Sequence, residues 1–205
     1  MQKIMLSLLT VTQLVVLSGT TANAAPADWK KSSKEAASLI SQRQAGPAAA
    51  KIIEALGALK NASVPENDPE AEKLFSETYA DTMMRLSLAN DYKSGDILGR
   101  WATSVSESKF GQTSPLSYLA NTVFRAWVLN QDKNQFTANR GAENQKCLAK
   151  LQDISKRQTP EQKAQCQKLM VYSQRSALKM SSETMQHALD TIKNASANRR
   201  LRSNR

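Results

Sequence analysis

The chain of 205 residues is poor in the side chains that most enzymes use, with one histidine, two cysteines and only 5% aromatics. A single imidazole, His187, rules out the histidine-rich zinc sites, which need three or four nitrogen or sulfur ligands. No Gly-x-Ser-x-Gly turn is present to carry a serine nucleophile. No Cys-x-x-Cys-His run is present to attach haem. His187 with Met83 or Met84 would be a haem pair only on paper, and a histidine on a helix surface is the simpler reading, so no metal or cofactor is expected. Sustained period-two alternation with β-branched residues is also missing, which excludes a sheet. Long apolar runs are absent beyond residue 24, so no later segment is expected to span a bilayer.

What the N-terminus does contain is the pattern of a secretory leader. Lys3 supplies a positive start and Ile4–Leu17 an apolar stretch. Ala22-Asn23-Ala24 is a small-x-small cleavage site. Residues 1–24 are therefore expected to be a signal peptide and Ala25 the first residue of the mature chain. That chain is expected to be periplasmic or secreted. The apolar stretch is shorter than the roughly 20 residues of a spanning helix, and no stop-transfer flank follows it.

The rest is periodic at 3.6 residues. Leu116, Leu119, Ala120, Val123, Phe124, Trp127 and Val128 recur at i, i+3, i+4, i+7, i+8, i+11 and i+12, a buried helical stripe. Shorter stripes run through Ile52, Ile53, Leu56 and Leu59, and through Phe75, Tyr79, Met83 and Leu86. Others run through Ile97, Leu98, Trp101 and Val105, and through Met185, Ala188, Leu189 and Ile192. Turn signals fall between them: Gly46-Pro47, Asn61 to Pro69, Ser94-Gly95-Asp96, Gly111 to Pro115 with Ser114 as N-cap, and Gln131 to Asn134, while Gly141 is a further expected break or kink. The expectation is an all-α fold, a single domain over residues 25–195 of about seven helices in antiparallel hairpins. Ala89, Tyr92 and Gly95 have a faint tetratricopeptide flavour. No second copy recurs at the required period, so an irregular helical bundle is preferred over a repeat stack.

The two cysteines, Cys147 and Cys166, lie nineteen positions apart on the apolar stripes of two consecutive helices. Thr159-Pro160-Glu161-Gln162 between them reads as a capping box with proline at the first helical position. In an exported chain an even pair predicts a disulfide, with a loop closure contributing about 3 kcal/mol. The alternative is a pair of buried free thiols acting as small hydrophobes. The spacing does not fit a redox-active Cys-x-x-Cys pair.

Charge is segregated along the sequence. Residues 25–139 hold 13 basic and 13 acidic side chains, whereas residues 140–205 hold 14 basic and 5 acidic. The last third ends in a basic tail over residues 196–205, expected to be disordered when free. Such one-sided charge attracts anionic partners. Lys163, Lys168, Arg175, Lys179, Arg199, Arg200, Arg202 and Arg205 are the candidate contacts. An acidic protein, an anionic envelope polymer, lipid headgroups or nucleic acid would each fit by charge. Sequence-specific nucleic-acid reading is not expected, because no aromatic-interleaved basic motif or zinc finger is present.

One stretch resembles a known catalytic motif. In "SESKFGQTSPLSYLANTVF", Glu107, Ser108, Phe110, Ser114 and Pro115 fall in the order found at the start of the lysozyme-like lytic transglycosylase motif. The resemblance implies that Glu107 would be the general acid in peptidoglycan cleavage, which requires an apolar pocket around it. The glycine-rich segment and following glutamine of that family are replaced here by the core stripe of Leu116 to Phe124.

The reading as a whole is an exported, non-enzymatic helical binding protein. Its basic C-terminal third would dock on an anionic envelope component or an acidic partner protein. The alternatives are lytic activity through Glu107 and an immunity or inhibitor protein that plugs an exported enzyme.

Overall fold

The computed structural model describes residues 28–132 and 138–175 together with Ser182 and Gln186. Residues 1–24, expected to be a signal peptide, lie outside the described residues, as do the stripe from Met185 to Ile192, His187, Lys179, the arginines of the tail and the end of the Gln131–Asn134 turn. The described chain is helical throughout, with α1 (Trp29–Ser41), α2 (Ala45–Asn61), α3 (Pro69–Lys73), α4 (Ala80–Leu88), α5 (Tyr92–Phe110), α6 (Pro115–Asp132) and α7 (Ala138–Arg157). An eighth helix, α8, covers residues 160–175. A π-helical segment, Leu74–Tyr79, joins α3 to α4 without a break, so these three pieces form one rod. The all-α expectation is met by seven rods among the described residues.

Local chemistry sets most of the boundaries. Asp28, Asp68 and Asp91 cap α1, α3 and α5 by accepting from first-turn amides. Ser114 accepts from the Ser117 amide at 3.0 Å and starts α6. Thr159 and Gln162 form the expected reciprocal capping box of α8, with bonds of 3.3 and 3.1 Å. Two expected breaks fall elsewhere. Gly46 and Pro47 lie inside the first turn of α2, where a missing amide proton costs nothing, and the chain turns instead at Arg43 with φ of 63°. Gly141 is passed by α7 without interruption.

Gly95 is the more informative departure. It sits inside α5, and the turn lies just before it, at Asn90 with φ of 56°. A Cβ on Gly95 would stand 2.4 Å from Trp127 Nε1, and one on Gly99 would stand 2.1 Å from Phe124 Cδ2. The two glycines, one turn apart, form a flat strip on α5 against which α6 lays the stacked rings of Phe124 and Trp127, 5.8 Å apart. Glycine is needed there for close approach.

The rods pack as an irregular bundle. α1 and α2 are antiparallel, tied at one level by Ser32 donating to Glu54 at 2.9 Å and at the next by Lys51 to Glu35 at 2.9 Å. α5 runs beside α2, with Trp101 Nε1 donating to the Ile53 carbonyl at 3.3 Å. α6 returns along α5, and α7 along α6. Inside lies one core of Ile52, Leu56, Leu59, Leu74, Phe75, Tyr79, Met83, Leu86, Leu98, Leu116 and Leu119, all essentially inaccessible. The Tyr79 hydroxyl donates to the Ala120 carbonyl at 3.3 Å, and full burial holds the phenol far above its ordinary pKa. The stripe in α5 is rotated from the expected one. Leu98, Ala102 and Val105 are buried, while Ile97 is 49% exposed.

Candidate functional site

The candidate site is the hairpin of α7 and α8 and the face of α6 beneath it. α7 contributes no residue to the main core, although Leu151 and Ile154 are buried and Cys147 packs at the edge. Polar contacts add to this apolar attachment. Arg100 on α5 pairs with Glu143, Glu107 on α5 pairs with Lys150, and Arg125 Nε on α6 donates to Asn144 Oδ1 at 3.1 Å. The turn into α8 is fixed by Gln158, 7% exposed, whose Nε2 donates to the Thr113 carbonyl at 3.0 Å. α8 is held in turn by Leu169 in the core and by Gln165 donating to Glu72 at 2.7 Å.

The expected disulfide is not formed: Cys147 and Cys166 are both free. Cys147 lies ten residues before the end of α7 and Cys166 six after the start of α8, a level difference of about 6 Å at 1.5 Å per residue. That offset along the hairpin leaves the two thiols apart, outside the narrow geometry a bridge needs. Their surroundings differ too. Cys147 feels Glu143, Lys150, Arg100 and Arg125, whereas Cys166 Sγ accepts from Gln158 at 3.2 Å and feels Glu66. Burial pushes both thiols above the usual cysteine range, which disfavours the thiolate. They serve as small hydrophobes at two separate packing sites.

Of the expected anion contacts, Lys163, Lys168 and Arg175 are exposed on α8. Lys168 is shared with Glu72, 3.9 Å away, so part of its charge is satisfied within the fold. Lys146 is likewise exposed, on α7.

Glu107 stands at the junction of α5, α6 and α7. Its side chain is 18% exposed, paired with Lys150 and accepting from Asn121 Nδ2 at 2.8 Å. A cation and an amide surround it, in place of the apolar pocket that a general acid requires. Asn121 is buried, and its second bond, to the Ser117 carbonyl at 2.8 Å, fixes its amide toward Glu107.

Three concave surfaces open on the described residues. A cleft of about 110 Å³ lies between α4, α6 and Ser173, lined by Met83, Met84, Val123 and Trp127. A shallow apolar depression is framed by Ile53, Ile97 and Trp101. The third is a groove of about 680 Å³ between α6, α7 and α8, bordered by Tyr118, Arg125, Leu148, Leu151, Lys156 and Met170. Glu107 lines none of the three. The groove was not expected from sequence. The signal that would have found it is the spacing of Leu148, Leu151, Gln152, Ser155 and Lys156 at i, i+3, i+4, i+7 and i+8, one continuous face of α7.

Among the described residues, no group of three or more His, Cys, Asp or Glu side chains is placed to hold a metal ion. No described helix is long and apolar enough to cross a membrane. Compared with known proteins, the chain matches no family model, no curated protein and no solved structure.

Proposed function

We infer that this is an exported, non-enzymatic binding protein. Its basic C-terminal third, the α7–α8 hairpin and the chain beyond it, docks on an anionic envelope component or an acidic partner protein. One observation carries this reading: residues 25–139 balance 13 basic against 13 acidic side chains, while residues 140–205 hold 14 against 5. Part of that excess, 8 basic against 3 acidic side chains in residues 140–175, lies on the hairpin, with Lys146, Lys163 and Arg175 open to solvent. A field of one sign on one end of a molecule raises the encounter rate with oppositely charged partners and weakens with added salt.

The test removes residues after Ala195, reverses Lys163 and Lys168 to glutamate, and measures recovery of envelope components at low and moderate salt. Recovery that falls with both the charge reversal and the salt supports docking; recovery insensitive to both refutes it. A zymogram run alongside tests the lytic alternative. Clearing of peptidoglycan by the wild type that Glu107→Gln abolishes would replace binding with catalysis. A stoichiometric complex with one exported enzyme would narrow the partner to the target of an inhibitor.

A further inference from the structure

We propose that the groove between α6, α7 and α8 receives an acidic amphipathic helix from a partner protein. This rests on the reading above that the basic end of the molecule binds anionic partners, and it assigns that binding a specific seat.

The argument begins with the two walls. From α7 come Leu148, Leu151 and Lys156 along one face, and from α6 come Tyr118 and Arg125. α6 and α7 run antiparallel, since Arg125 bonds Asn144 while Gln158 reaches the Thr113 carbonyl near the start of α6. Arg125 therefore stands at one end of the groove and Lys156 at the other. Leu148 and Leu151 line the middle, and Met170 enters from α8. At 1.5 Å per residue, the run from the level of Asn144 to Lys156 spans on the order of 18 Å, a little over three helical turns.

Among the described residues, both charged side chains bordering the groove are cations and no acid lines it. Two cations flank a floor of Leu148, Leu151 and Met170 edged by the polar Thr122, Gln152 and Ser155, the complement of an amphipathic helix that carries a carboxylate at each end of a short leucine-type stripe. Helix-in-groove recognition uses that stripe at i, i+3, i+4 and i+7 spacing. A single-chain lipid brings one anionic head and would leave the second cation unmatched, so a doubly acidic peptide fits better. Arg125 is suited to hold a carboxylate because Asn144 already fixes its Nε. The half-buried Leu148 and Met170 give the floor apolar area left uncovered by the described fold. The remainder of this chain does not supply the occupant: beyond residue 175 it carries six basic and two acidic side chains.

The experiment uses the full mature chain and a labelled, end-blocked peptide of about 16 residues, with glutamates flanking leucines at helical spacing. A matched peptide with lysines replacing the glutamates is the control, and binding is read by fluorescence anisotropy. The glutamate peptide is expected to bind and the lysine peptide to bind at least about tenfold more weakly. Lys156→Glu and Leu148→Glu are each expected to weaken binding by about tenfold, whereas Lys93→Glu, an equal charge change on an exposed scaffold position, changes it by less than about twofold. Failure of the glutamate peptide to bind, equal binding of both peptides, or an equal loss from Lys93→Glu would overturn the proposal. Retention on a soluble polyanion is measured in parallel. If the polyanion is retained and the peptide is not, the groove falls while docking of the basic end stands. If the peptide binds and the polyanion does not, the groove stands and the broader surface falls.

Discussion

Two regions of this molecule are held together by different forces. The scaffold of α1 to α6 encloses one apolar core, and apart from Leu169 every member of that core precedes residue 129. The α7–α8 hairpin buries only a few apolar side chains, Leu151, Ile154, Cys166 and Leu169, and adds Arg100–Glu143, Glu107–Lys150, Arg125–Asn144 and Gln165–Glu72. Apolar burial is not weakened by charge screening and gives large cooperative stability, whereas exposed ion pairs are individually weak and screened. The hairpin should therefore open at lower free energy than the scaffold, as a separate local unit. A charged end on a weaker attachment can adjust to a partner without unfolding the rest.

Substitutions can break or sharpen this contrast. The largest effect is expected from Phe75→Ala. Phe75 is fully buried with edge-on contacts to Tyr79 and Phe110 at 6.3 and 6.4 Å. Its removal should cost about 3–5 kcal/mol in urea unfolding and affect scaffold and hairpin together. A loss under about 1 kcal/mol would mean that the core is not continuous.

Next comes Gly99→Ala, which drives a methyl into the Phe124 ring. The helix-propensity gain of about 1 kcal/mol is expected to be outweighed by overpacking, for a net loss of about 1–2 kcal/mol. Stabilisation by this variant would show that α5 and α6 do not meet face to face.

Glu107→Gln should act mainly on the hairpin, since a glutamine oxygen can still accept from Asn121. It leaves Lys150 without its partner, and hydrogen exchange of α7 amides should rise by about fivefold, equivalent to about 1 kcal/mol, while the core of α2 is unchanged. Uniform acceleration across both regions would erase the distinction.

The smallest effect concerns Glu66. Its Oε1 is buried without a hydrogen-bond partner, and burial raises the carboxyl above its ordinary pKa. An acid whose folded pKa is raised destabilises the fold once ionised. Its penalty is absent below about pH 4.5 and grows as the pH passes upward through the folded value. Glu66→Gln should stabilise by less than about 1 kcal/mol at pH 7 and by nothing near pH 4. A stability difference that is flat with pH would refute the burial argument.

Helical periodicity alone located the core. Every residue of the stripe from Leu116 to Val128 is buried except the half-buried Val123. The cap at Ser114 and the box at Thr159 and Gln162 were legible because capping depends on residues within a single turn. The disulfide was misread because matching stripes fix neither helix level nor interaxial distance. Gly95 was misread as a turn because a glycine signal is identical whether it serves backbone freedom or close approach, and only Trp127, 32 residues away, distinguishes the two. The charge split was visible in the sequence, but the groove was not, since its walls come from separate helices.

The order of residues by itself determined that this chain is helical, where several of its helices begin, and that its positive charge gathers at one end. Those properties arise from local hydrogen bonding, side-chain periodicity and simple charge count. Tertiary structure decided that Cys147 and Cys166 stay apart, that Glu107 anchors a hairpin through Lys150, and that Arg125 and Lys156 bracket one apolar floor. Each of these depends on the distance and register between packed helices, set by the shapes of side chains far apart in sequence.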